Sequence, residues 1–193
     1  MLSNSQIITA LNDGAVVVIP TDTVYGLVCK ANNPSAVARL YALKHREHKP
    51  GTIIAASVDQ LVDLGIPRRY LKPIESYWPN PISVVIPVGS RLPELHLGKM
   101  SLAMRIPNKP ELLELLGQTG PLLTTSANLP GQPPATNVNE AKQYFGDVVD
   151  LYNDGGDLRD HKPSTIIRVV DDAVEVLRPG AVQINEAGEI SEL

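Results

Sequence analysis

The sequence predicts a single mixed α/β domain. Three observations carry that expectation. Helix and strand signals alternate along the chain. No internal repeat, low-complexity tract or long linker divides it. Its 193 residues, 43% of them apolar, are enough to bury one substantial core.

The elements follow in order. Ser3 or Asn4 can cap a first helix with Ile7, Ile8 and Leu11 on one face, and Gly14 stands where a left-handed residue is wanted. AVVVI (15–19) is β-branched and apolar, a buried strand. Pro34 suits the first turn of a second helix that turns Val37, Leu40, Tyr41 and Leu43 inward. This helix runs into KHREHKPG (44–51), where the Pro-Gly pair breaks it. TIIAA (52–56) is a short strand, and Ser57 with Gln60 has the spacing of a capping box. ISVVIPV (82–88), SLAMRI (101–106) and PLLTT (121–125) read as further strands. Asn108 with Pro110 opens a helix expected to end at Gly117, and Asn137 with Glu140 opens another through Phe145. VVDLY, STIIRVV and AVEVLR are strand-like runs that close the chain. The 17 prolines gather in YWPNPIS, LPGQPPAT and the strand ends, as rigid loops on one scaffold.

Composition narrows the class. One cysteine, Cys29, excludes an internal disulfide framework and suits a reducing cytosol. The first residues carry neither a basic leader nor a long apolar run, and no stretch nears the ~20 apolar residues that cross a bilayer. A cytoplasmic protein without a membrane role is expected. The net charge of −4 argues against a surface that coats nucleic acid, yet it is unevenly spread. Residues 30 to 72 hold eight Lys/Arg against three Asp/Glu, a local +5, and the remainder is −9. That pattern fits an anionic ligand or a restricted, weak RNA contact, and equally a solvated helix face.

Four segments set polar side chains hard against the end of a strand or helix. PTDTVYGL (20–27) puts Thr21, Asp22, Thr23 and Tyr25 directly after the first strand, which reads as a ligand edge or as a turn that bonds its own backbone. KHREHK (44–49) offers Lys44 and Arg46 where the chain leaves a helix. A point charge and a planar fork can converge there on a polyphosphate, or simply cap an exposed helix end. His45 and His48 are three apart, but no carboxylate or Cys set completes a metal site. LLTTSANLPGQPPAT (122–136) carries Thr124, Thr125, Ser126 and Asn128 into a Pro/Gly loop. No G-x-S-x-G elbow surrounds Ser126, so binding is the better reading than nucleophilic catalysis. Finally, Ser164 and Thr165 open one strand and Arg178 ends the next before a Pro-Gly turn. There is no Walker A and no G-x-G-x-x-G.

Taken in order, PTDTVYGL, KHR, SLAMRIP, TSAN with G.P..T, PSTI and LRPG resemble the YrdC/Sua5 family of threonylcarbamoyl-AMP synthases, in its short single-domain form. The resemblance spans about residue 5 to 181, with 182–193 as a C-terminal tail. It implies a twisted mixed sheet flanked by helices around a large concave cavity. It implies synthesis of threonylcarbamoyl-AMP and pyrophosphate from L-threonine, bicarbonate and ATP, with Mg²⁺ accompanying ATP. The product would serve threonylcarbamoyladenosine modification of tRNA through separate transfer proteins. By the same resemblance, Thr23, Arg105, Thr124 and Ser164 would hold L-threonine. Lys44, Arg46, Ser126 and Asn128 would surround the triphosphate and the reacting carbamate, with Pro50, Ser101, Pro134 and Arg178 also contacting ATP. The family pattern is left at Glu47, Gly51, Ala55, Asn80, Ser83 and Pro130, and Glu47 would weaken the phosphate field if it turned inward. The alternative is a YrdC-like RNA-binding or ribosome-associated module without adenylation. Aromatic residues make up only 4% of the chain, so stacking platforms for single strands are scarce.

Overall fold

In the computed structural model, which describes residues 3–170, 173–185 and 187–192, helices and strands alternate as expected. In chain order they are α1 (Asn4–Asn12), β1 (Val17–Pro20), β2 (Tyr25–Lys30), α2 (Pro34–Leu43), β3 (Thr52–Ile54), α3 (Val58–Asp63), α4 (Arg68–Leu71), β4 (Ile82–Pro87), α5 (Pro93–His96), β5 (Ser101–Arg105), α6 (Pro110–Thr119), β6 (Leu122–Ser126), α7 (Val138–Phe145), β7 (Leu151–Tyr152), β8 (Thr165–Val170), β9 (Ala173–Arg178), β10 (Val182–Ile184) and β11 (Ile190–Glu192). Nine strands form one mixed sheet in the order β7-β1-β2-β6-β3-β5-β4-β8-β9. β1/β7, β3/β5 and β4/β8 run parallel, and the other neighbours are antiparallel.

Local chemistry explains most boundaries. Ser3 accepts from Gln6 N while the Gln6 side chain accepts from Ser3 N, a reciprocal cap for α1. Gly14, at φ +87°, releases the chain into β1. Asn33 caps α2 with Pro34 at its first turn. Three expectations differ in detail. Gln60 does not close a box with Ser57: its side chain accepts from Ala56 N and donates to Leu116 O, tying α3 to α6. α6 has no side-chain cap, runs through Gly117 and ends at Thr119. Asn108 instead gives its backbone N–H to Asp22. The stretch from 182 also differs from a plain tail: β10 and β11 pair as a hairpin, and Val182 is buried in the core.

The period of two along each strand divides the core. Val17, Ile19, Val28, Ile54 and Leu122 meet α1 and α6 on one face through Ile7, Leu11, Leu112, Leu115 and Leu116. Val16, Val18, Leu27, Cys29, Ile53, Leu123 and Met104 meet α2 and the remaining elements on the other. Further along the strands, the α1/α6 face changes from apolar to polar. Gly26 stands opposite Ser126, Thr124 opposite both Val28 and Thr52, Arg105 opposite Ile54, and Arg178 opposite Ile166. The residues singled out by the motifs share this face because paired residues on neighbouring strands point the same way.

Candidate active site

PTDTVYGL is the tight turn of the β1/β2 hairpin, with Val17 opposite Val28 and Pro20 opposite Tyr25. Thr21 Oγ1 donates to Val24 O (2.7 Å) and lies 3.0 Å from Thr23 Oγ1. Tyr25 reaches down the chain: its hydroxyl donates to Gly156 O (2.8 Å) and accepts from Gly155 N (2.9 Å). Gly26 has a steric reason, since a Cβ there would stand 2.8 Å from Thr124 Oγ1 and 3.1 Å from Thr21 Cγ2. These residues, with Thr52, Arg105, Ser126, Ser164 and Arg178, line a narrow cleft of about 70 Å³.

Arg105 is 4% exposed and faces Asp22, 3% exposed, with Nη2 to Oδ1 at 3.0 Å. Asp22 Oδ2 also accepts from Asn108 N (3.2 Å). Asp22 does not line this cleft; it borders a separate depression with Asp160, His161, Lys162 and Ala181. It therefore acts as a counter-charge behind the guanidinium. On the other side Arg105 Nη1 approaches Ser83 Oγ (3.5 Å), Ser83 Oγ meets Ser164 Oγ (3.0 Å), and Arg178 Nη2 donates to Ser164 O (2.6 Å) and Oγ (3.1 Å). Ser83, one of the departures from the family pattern, is fully buried at the centre of this chain.

A second, wider cleft of about 410 Å³ is lined by Lys44, His45, Arg46, Glu47, His48, Lys49 and Asn128 to Gly131. That volume is in the range of small-molecule sites. Lys44 links the two clefts. Its Nζ donates to Ser126 O (2.8 Å), to Asn128 Oδ1 (2.7 Å) and to Asn128 O, while Ser126 Oγ donates to Asn128 Oδ1 (2.7 Å). Burial first, then the charges of Arg46 and Lys49, lowers the Lys44 pKa to about 7. Arg46 Nη1 donates to Lys49 O and Pro50 O (both 3.2 Å), and burial lowers its pKa. Burial, then Arg105, lowers that of Arg178. Among the described residues Lys44, Arg46 and Arg178 are bonded only to neutral oxygens and have no carboxylate partner. Uncompensated, half-desolvated cations of this kind define an anion site.

The other expected residues fall as follows. Pro50 is at the rim through its carbonyl on Arg46. Pro134 is half-buried in the loop after Asn128 and lines neither cleft. Ser101, at the start of β5 opposite Pro87, also lies outside both. Glu47 is exposed on the wide cleft, and Ala55 is fully buried beside Arg105, to whose carbonyl it donates. Gly51 is packed where a Cβ would stand 2.7 Å from Thr124 O. Asn80 bonds Tyr77 O and Ile106 O, and Pro130 is exposed at the mouth of the wide cleft.

Sequence reasoning missed two residues. Asp22 was expected at a ligand edge or bonding its own turn, whereas it pairs with Arg105 of β5. Gly180 permits the LRPG turn to lie on the PST segment, where a Cβ would be 2.3 Å from Pro163 O and 2.5 Å from Ser164 C. Both contacts are with backbone, so Gly180→Ala is expected to cost about 1–3 kcal/mol in a thermal melt and to weaken ligand binding through Ser164 and Arg178. An unchanged melt would disprove this close approach.

A hydroxyl-lined cleft with a buried arginine lies beside a cationic one, an arrangement suited to a small anionic molecule next to a polyanion. Residues 9–180 match the sequence model of the Sua5/YciO/YrdC family, described as "Telomere recombination". The chain belongs to that family. It is 39% identical over 169 residues to the threonylcarbamoyl-AMP synthase of Pseudoalteromonas translucida, covering 82% of this chain and 89% of the relative. It is 38% identical over 175 residues to that of Pseudomonas aeruginosa, covering 88% and 92%. Its fold is similar to that of P. abyssi Sua5 complexed with L-threonine, with a TM-score of 0.82 and 30% identity. That alignment covers 95% of this chain but 56% of the other, so this chain spans little more than half of that protein's length. The E. coli YciO structure is similar at a TM-score of 0.76 and 27% identity, covering 92% and 88%. Among the described residues no helix is long and apolar enough to cross a membrane.

Proposed function

We propose that this chain is an L-threonylcarbamoyladenylate synthase: it makes threonylcarbamoyl-AMP and pyrophosphate from L-threonine, bicarbonate and ATP. The carrying observation is the junction at Lys44, where a buried cation without a carboxylate partner joins a hydroxyl-lined cleft to a wider cationic one. The threonine amine and bicarbonate condense with loss of water to a carbamate. A carbamate oxygen then attacks the α-phosphorus of ATP, and the bond to the β-phosphate oxygen breaks to release pyrophosphate.

Little covalent work falls to the protein. It holds two anions together and offsets charge on the leaving group. Arg105 takes the amino-acid carboxylate, a fork-to-carboxylate pairing, with Thr23, Thr124 and Ser164 around the rest of the molecule. Lys44, Arg46, Ser126 and Asn128 hold the phosphates and the carbamate, and Arg178 neutralises charge from the far wall. Pro50 borders the ATP contacts through its carbonyl on Arg46, whereas Ser101 and Pro134 line neither cleft and take no part in this reading. Mg²⁺ enters with ATP as part of the substrate. Among the described residues no group of three or more His, Cys, Asp or Glu side chains converges, and no step is assigned to a resident ion. The product passes, in the cytoplasm, to separate proteins that modify a tRNA adenosine.

The test is pyrophosphate release from ATP and bicarbonate with L-threonine present, absent, or replaced by valine or serine. Release should require threonine and fall sharply with valine, because a site built to bond a hydroxyl penalises a ligand that lacks one. Absence of release from a folded protein that binds ATP, together with salt-dependent RNA binding, would replace this reading with the RNA-binding module.

A further inference from the structure

We infer that Thr21 is a positioning residue that fixes the polarity of the Thr23 hydroxyl, so that Thr23 meets its ligand only as a hydrogen-bond acceptor. This rests on the reading of the narrow cleft as the L-threonine site. The argument is a count of protons.

A threonine hydroxyl has one donor and two acceptor positions. Thr21 Oγ1 spends its proton on Val24 O at 2.7 Å, since a carbonyl can only accept. Its first acceptor position takes Thr23 N–H at 3.1 Å. The remaining contact, Thr21 Oγ1 to Thr23 Oγ1 at 3.0 Å, then has one polarity: Thr23 donates. Thr21 is thereby saturated and Thr23 has spent its only proton. Both threonines are 3% exposed, so water offers little alternative. Thr23 lines the cleft with two lone pairs to present and no proton.

Thr124, across the missing Cβ of Gly26, has no described partner for its hydroxyl and keeps both polarities. Arg105 can only donate. The cleft therefore reads a ligand as carboxylate at Arg105, donor at Thr23 and either polarity at Thr124. The donor taken by Thr23 is an N–H or O–H of the amino acid. A group that only accepts is rejected there, because it would face lone pairs in a buried site. The relay is local in sequence and was hidden only because two threonines two residues apart look equivalent.

Calorimetric titration of L-threonine reads binding without turnover and uses the whole chain. Thr21→Val keeps the shape of the side chain and frees the Thr23 proton, and Thr21→Ser keeps the relay. The expected result is a Kd for L-threonine raised about tenfold in Thr21→Val, ~1.4 kcal/mol, with the Kd for ATP unchanged and Thr21→Ser near the parent. In a Thr23→Val background, Thr21→Val should add nothing, since no hydroxyl remains to be oriented. Repeating the series with 2-aminobutyrate, which has the amine and lacks the hydroxyl, separates the two donors. An equal loss assigns the amine, and a loss confined to threonine assigns the hydroxyl. Equal losses in Thr21→Ser and Thr21→Val, an equal change for ATP, or additive losses with Thr23→Val would overturn the relay and leave Thr21 a purely structural turn residue. Failure of the parent protein to bind L-threonine would instead remove the threonine-site reading on which the relay stands.

Discussion

Lys44→Ala is expected to lower threonine-dependent pyrophosphate release by about 10²–10³-fold in a protein that still folds. The Nζ ties the exit of α2 to Ser126 and Asn128 through two carbonyls and one amide oxygen. Its removal takes away both the charge offered to the phosphates and the placement of Ser126 and Asn128. Arg46, engaged with the Lys49 and Pro50 carbonyls, cannot reproduce that geometry. A loss smaller than about threefold would remove Lys44 from the reaction.

Stability should respond with a definite sign. The folded pKa of about 7 lies below the ordinary 10.5, so between those values the unfolded chain binds the additional proton. The Lys44 contribution to stability then rises with pH through that window, opposed from about pH 9 upward by the Cys29 thiol, which burial pushes up to about 12. The cost of burying the charge is fully present below about pH 7 and relieved as the ammonium deprotonates. Lys44→Met should abolish the rise. Denaturant titrations of the parent and Lys44→Met at the two ends of the window would reveal it as a difference in slope.

The largest stability effect is expected at Arg105. Truncation to alanine strands the Asp22 carboxylate, its side chain 3% exposed, with the Asn108 N–H as its one remaining partner among the described residues. Removing one partner of a buried pair costs about 3–5 kcal/mol, most of it the penalty of the charge left behind. Asp22→Asn in the Arg105→Ala background should therefore recover much of the stability and none of the threonine binding, because the fork that meets the carboxylate is still missing. Thermal melts and L-threonine titrations of the single and double variants separate the two effects. A double variant as unstable as Arg105→Ala would show that the carboxylate was not the source of the cost.

Much of this was legible in the sequence, and the exceptions have physical causes. The helices announced themselves through caps and period: Ser3 and Asn137 each accept a backbone N–H at a helix start, and Pro34 stands in the first turn of α2. β2 did not, because YGLVCK is buried on both faces for five residues and has no alternation to read. Asn108 looked like a cap, but the residue at the cap position is Lys109, and Asn108 gives its N–H to Asp22 of the first hairpin. At the site, side-chain chemistry marked Thr23, Lys44, Thr124, Ser126, Ser164 and Arg178, while Arg105 came only from the family resemblance. What it could not mark was partnership. Asp22 meets Arg105 although β6 and β3 lie between the first hairpin and β5, a partnership that no local stretch of sequence carries. Two of the three acceptors of Lys44 are main-chain carbonyls, which carry no residue-type signal.

The strand order has a last consequence. In the nine-stranded sheet the first hairpin, β1/β2, and the last, β8/β9, flank the four strands β6, β3, β5 and β4, and residues from Thr21 to Arg178 meet on one face only once all are in register. Pro163, Ser164 and Arg178 join the cleft from the last part of the chain, so it is complete only when β8 and β9 are in place. Folding of such non-local pairings is slow, and its reward comes at the end. Once there, amino acid and nucleotide act as a clasp on the entire sheet: each stabilises the native chain by mass action against global opening, about 2.7 kcal/mol at a hundredfold excess over Kd. A cell rich in both substrates would keep this protein folded by keeping it occupied.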